Sequence, residues 1–143
     1  MINKTKDLDW GSVLKEKGGD SKELQAAGAF ISKLMGVQQS ATISHRYQKD
    51  QKLPTHLALE DYYDALDGLL DDLTETIMGY YGKRLNLVVS AGLILDPAIY
   101  FRDLITYIEK NRDFCDESFV QNQIDEIMQI TAKLMYKLTF ITD

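Results

Sequence analysis

The chain contains two histidines, His45 and His56, and both stand close in sequence to a long acidic stretch. Together with three carboxylates they form the pattern His45-x10-His56-x3-Glu60-x10-Asp71-x3-Glu75. Mixed imidazole and carboxylate donors suit iron, with zinc or manganese as substitutes, and an incompletely filled coordination sphere on iron permits redox chemistry. At about 100° per helical residue counted from His56, Glu60 falls near 40°, Asp71 near 60° and Glu75 near 100°, while the neighbouring apolar stripe centres near 270°. The four therefore share an arc apart from the core. They cannot share one ion within one chain, because nineteen residues of helix separate His56 from Glu75 by about 28 Å. The set is nevertheless symmetric about position 65.5. If two copies of this helix cross antiparallel about a two-fold axis, His56 and Glu60 of one chain approach Glu75 and Asp71 of the other, and two identical sites result.

The surrounding charge pattern fits a site of this kind. Between Lys52 and Lys83 there is no Lys or Arg, while Glu60, Asp61, Asp64, Asp67, Asp71, Asp72 and Glu75 lie on one predicted helix. Like charges four residues apart destabilise a helix. Such a face either meets water, borrows cations from another element or binds metal. Tyr63, Asp64 and Asp67 fall near the ligand arc and are accessory candidates, whereas Asp61 and Asp72 are read as lying off the site. His45 belongs to the preceding helix, and a short turn around Lys52 would fold it back beside His56. The bland alternative for His45 is a packed imidazole satisfied by a backbone carbonyl.

Four helical stretches must position these residues. The first spans about Ser21 to Gln51, with Leu24, Ala27, Ile31, Leu34, Gln38, Ala41 and His45 at 3,4 spacing and Ser21 as N-cap. Pro54 opens the second, which runs to Gly79 or Gly82 with Leu59, Tyr62, Leu66, Leu69, Leu70, Leu73 and Ile77 as its apolar stripe. Asp96 and Pro97 start a third, of about four turns, ending near Asn111. The fourth covers about Asp116 to Phe140 and carries Val120, Ile124, Ile127, Thr131, Leu134, Leu138 and Ile141. The connection from Arg84 to Leu95 reads equally as a short crossover helix or an extended segment. The expected architecture is an all-α four-helix bundle over residues 21–143, preceded by an arm of residues 1–20.

Composition narrows the function classes. The 143 residues, 45% of them hydrophobic, supply one core. A net charge of -6 and a pI near 4.9 oppose a general affinity for nucleic acid or anionic membranes. The arm balances Lys4, Lys6, Lys15 and Lys17 against Asp7, Asp9, Glu16 and Asp20, so DNA binding is not expected. Trp10 is read as a packing anchor there. The longest apolar run is shorter than the ~20 residues of a membrane span. A lone Cys115 and the absence of a leader lead to the expectation of a reducing, cytoplasmic setting. Serine, cysteine or zinc hydrolase chemistry lacks its parts, since there is neither an H-E-x-x-H motif nor a base beside Cys115.

The five-residue pattern resembles the ferroxidase signature of the Dps family, the starvation-induced members of the ferritin-like superfamily, with Glu60 in place of the usual Asp. The similarity covers roughly Phe30 to Gly79. Short acidic chains of this sort also look similar to Dps-like proteins carried by some bacteriophages. The resemblance implies a ferritin-like bundle that oxidises ferrous iron with peroxide or dioxygen, protects against oxidative stress, and stores mineral in a shell of up to twelve subunits. It further implies that His45, His56 and Glu60 come from one subunit, and Asp71 and Glu75 from its two-fold mate. Departures occur at Arg46, where the family commonly has tryptophan, and at Leu57, where it commonly has glutamate. The histidine spacing is one shorter than usual and the third helix is truncated, so the implied site survives better than the implied cage. An ordinary ferritin would carry Glu-x-x-His motifs, which are absent. The competing expectation is a non-catalytic ferritin-like structural or interaction protein whose acidic face meets a partner and whose metal site is vestigial.

Overall fold

The computed structural model describes residues 21–141; the arm with Trp10, the Ser21 side chain and the last two residues lie outside the described residues. Among the described residues there are four helices and no strands: α1 (Ser21–Tyr47), α2 (Leu53–Tyr81), α3 (Pro97–Asn111) and α4 (Ser118–Phe140). Most residues of the 3,4 series read from sequence are buried. Ala27, Ile31, Leu34 and Ala41 of α1 meet Leu59, Tyr62, Leu66, Leu73 and Ile77 of α2, with Phe101, Leu104 and Ile108 of α3 and Val120, Ile124 and Ile127 of α4 closing one core. Ile141 falls beyond the end of α4 and is 48% exposed, so the apolar series of that helix stops one step earlier than its spacing predicts.

Local chemistry fixes the helix ends. The Asp96 carboxylate accepts the Ile99 N–H at 3.2 Å and Pro97 occupies the first turn, where its missing donor costs nothing. Pro54 plays the same part in α2. Gly82 ends α2 at φ 65°, a left-handed position that glycine adopts without a Cβ penalty. Between α1 and α2, Asp50 also adopts φ 60°, which Asp tolerates better than most residues, and the turn is short enough to double the chain back on itself. At the core, the Tyr62 hydroxyl bonds Thr131 Oγ1 at 2.9 Å, tying α2 to α4. Burial pushes that hydroxyl well above its ordinary pKa.

The connection that sequence leaves open is extended: residues 84–94 carry no helix. They lie along α1 rather than in a sheet. Val88 N–H donates to Ser32 Oγ at 3.0 Å, Gly92 N–H to Ser40 Oγ at 3.1 Å and Ile94 N–H to Ser44 Oγ at 2.7 Å. Four residues of helix rise about 6.0 Å and two residues of extended chain about 6.6 Å, so the two ladders keep step. Glycine fills the remaining rungs. A Cβ on Gly28 would stand 2.7 Å from the Asn86 carbonyl oxygen, and one on Gly36 would collide with the Ser90 carbonyl oxygen. The strip Gly28, Ser32, Gly36, Ser40, Ser44 thus forms a small-residue track on which the crossover rests.

Candidate metal centre

The doubling back at Asp50 brings both histidines together. Their rings stack with centroids 3.8 Å apart and 18° between planes. His45 Nδ1 lies 2.8 Å from the backbone carbonyl oxygen of His56, which can only accept, so Nδ1 carries the hydrogen and donates it. The carbonyl contact of the bland reading is therefore present, but it engages only one ring nitrogen. Nε2 points at Glu60, 3.3 Å from Oε2. A lone pair facing a carboxylate is repulsive unless a proton or a cation lies between them. Ligands at about 2.0–2.2 Å from one ion stand roughly 3–3.5 Å from each other, so the spacing fits a metal shared by the pair. The His45 side chain is 10% exposed and that of Glu60 45%, which leaves the ion an open approach from solvent.

His56 repeats the arrangement. Its Nδ1 lies 3.3 Å from Oε1 of Gln51, leaving Nε2 without a hydrogen-bond partner among the described residues. A ligand imidazole is commonly oriented in this way, by an acceptor on its other nitrogen. Near-parallel stacked rings keep their in-plane lone pairs in separate planes, so the two do not converge on one point. The stack accordingly offers donors for two adjacent ions, or for one ion after one ring turns. Tyr63 packs edge-on against His45 with centroids 5.5 Å apart.

The remaining ligands of the pattern lie further along α2. Asp71 and Glu75 cluster with Asp72, one ligand oxygen from each falling within 4.8 Å of the others, and all three residues are exposed. The helical wheel puts Asp72 off the site; its near one-turn spacing from Glu75 brings it in. Asp67 and Asp71 line a pocket of about 230 Å³ with Met35, Gln38, Gln39, Leu70 and Thr74. Glu60 and Asp71 are eleven residues apart, about 16 Å of helix, so within a single chain the two groups are separate. Asp61 is paired to Lys137 of α4 at 3.2 Å. Asp64 is exposed and joins neither group. Among the described residues no cation reaches Asp64, Asp67, Asp71, Asp72 or Glu75, so the acidic face borrows only the Asp61 partner.

Gln51, the residue that orients His56, is not marked by the sequence. A neutral side chain in a turn has no ligand signature, and only the fold shows what it does. No helix among the described residues is long and apolar enough to cross a membrane.

No curated protein and no solved structure matches the chain. A family model does match residues 50–138, which include α2, the extended crossover, α3 and most of α4, and with them His56, Glu60, Asp71 and Glu75. That match spans more than half of the sequence, and the chain belongs to the family described as a family of unknown function, DUF5856.

Proposed function

We propose that the protein is a Dps-like, ferritin-like iron-binding protein that oxidises ferrous iron at sites shared between two copies of the chain. The observation that carries this reading is the contact between His45 Nε2 and Glu60 Oε2 at 3.3 Å, with Nδ1 already committed to a carbonyl. In the proposed site His45, His56 and Glu60 of one subunit hold the iron substrate together with Asp71 and Glu75 of the other, and Asp72 stands beside them. The carboxylates favour the ferric product by adding negative charge, and the open side of Glu60 admits the oxidant. With peroxide as oxidant, two ferrous ions each give up one electron, the O–O bond breaks, and two protons complete two waters. Dioxygen is the other oxidant to test.

The test is anaerobic ferrous titration followed by peroxide, with ferric absorbance and native mass followed together. Oxidation that saturates at one or two irons per chain in a dimer or a multiple of dimers supports the proposal. His56→Ala and Asp71→Ala should each abolish saturable oxidation while leaving assembly intact, and Asp61→Lys should leave it unchanged.

A second reading is favoured by the exposure of the Asp71, Asp72 and Glu75 cluster and by the non-convergent histidine stack. It is a non-catalytic structural or interaction protein with a vestigial metal site. A well-folded oligomer with no saturable iron binding would select it.

A further inference from the structure

In extended chain the N–H and C=O of one residue point to the same edge, and successive residues alternate edges. The crossover obeys this against α1. Val88, Gly92 and Ile94 turn their N–H groups to the serine track, while the Asn86 and Ser90 carbonyls face the two glycines. The opposite edge, formed by the odd-numbered residues, is open. Among the described residues no hydrogen bond engages the backbone of Leu87, Val89, Ala91 or Leu93. The segment also exposes apolar side chains, with Leu93 51% and Leu95 80% accessible. An apolar strand edge with free donors and acceptors is a template for another strand.

We infer that this edge pairs antiparallel with the same edge of a second copy, centred on Ala91 and on the two-fold axis that completes the metal site. Three observations select that occupant. First, the open edge is its own complement: about Ala91, Val89 falls opposite Leu93 and Leu87 opposite Leu95, apolar against apolar, with the smallest side chain at the axis. Second, the register is right for hydrogen bonding, because a pairing centred on an odd residue brings only odd residues into bonded pairs, and those are the free ones. Third, the level agrees with the acidic helix. His45 of α1 meets His56 and Glu60, and Gln38 and Gln39 share a pocket with Asp67 and Asp71. The midpoint of the ligand pattern, 65.5, therefore lies level with about residue 40 of α1. Ser40 is where Gly92 docks, next to Ala91. One axis serves both centres. The inference deepens the shared-site reading and rests on it only for this third observation.

The test uses the full chain carrying Ala91→Cys. In a bonded antiparallel pair the Cα atoms stand about 5.5 Å apart, within disulfide range. Mild oxidation with diamide should convert most of the variant to a covalent dimer on a denaturing gel. The parent, whose Cys115 is buried, and an Asp103→Cys control on the exposed side of α3 should remain single chains. Ala91→Pro, which removes a donor unused within the subunit, should lower the native mass without loss of helical circular dichroism. A dimer of the Ala91→Cys variant that fails to cross-link, a native mass untouched by Ala91→Pro, a monomeric parent, or a disulfide from the introduced thiol to Cys115 of its own chain overturns the inference. Iron titration of the same samples separates the two claims. A cross-linked dimer without iron binding upholds the strand pairing and removes the ferroxidase reading. An iron-oxidising dimer in which the introduced thiol forms no link does the reverse.

Discussion

At the scale of single residues, the two imidazoles are held by acceptors on Nδ1, a carbonyl for His45 and the Gln51 amide for His56. Orienting partners of this kind typically contribute a factor of about 10–100 in metal affinity. Gln51→Leu should therefore weaken ferrous binding about ten- to a hundredfold, while the thermal midpoint moves little. Isothermal titration alongside a melting curve checks both. The pairing of His45 with His56 was legible because the turn between their helices is short and both sit on defined helical faces. Gln51 and Asp72 were not. Gln51 acts through an amide oxygen in a turn, which no spacing rule marks, and Asp72 sits about 160° from His56 on the wheel. A flat projection hides the reach of its side chain along the helix to Glu75.

At the scale of elements, the 3,4 apolar spacing made all four helices readable, and Asp96-Pro97 marked the start of α3 to the residue. The crossover was illegible for a physical reason. Its apolar, partly β-branched run satisfies helical and extended readings alike, and its docking partners are serine hydroxyls on another helix, which leave no hydropathy period. The track makes distinct predictions. Ser44 is fully buried and accepts the buried Ile94 N–H. Ser44→Ala should destabilise by about 1–3 kcal/mol, the cost of a stranded donor, measured by urea denaturation. Gly36→Ala forces its methyl into the Ser90 carbonyl and should cost a similar amount. Gly79→Ala, with open space around the new Cβ, should instead stabilise by about 0.5–1 kcal/mol.

At the scale of the whole molecule, one core ties the helices together, and Tyr62 with Thr131 is a polar link inside it. Because burial raises the Tyr62 pKa above 10.0, its neutral form is favoured in the folded state. That contribution is intact below pH 10.0 and is lost as pH rises toward the folded value. The thermal midpoint should fall progressively above that pH, and Tyr62→Phe should flatten the decline even though it costs stability at neutrality. A net charge of -6 further predicts no retardation of duplex DNA at physiological salt. The serine track has a consequence in time rather than in space. Amides at 88, 92 and 94 are shielded by hydroxyl acceptors, while those at 87, 89, 91 and 93 are not. Deuterium uptake along the crossover of an isolated subunit should therefore be slow at 88, 92 and 94 and fast at 87, 89, 91 and 93. That rhythm belongs to a strand whose neighbour is a helix.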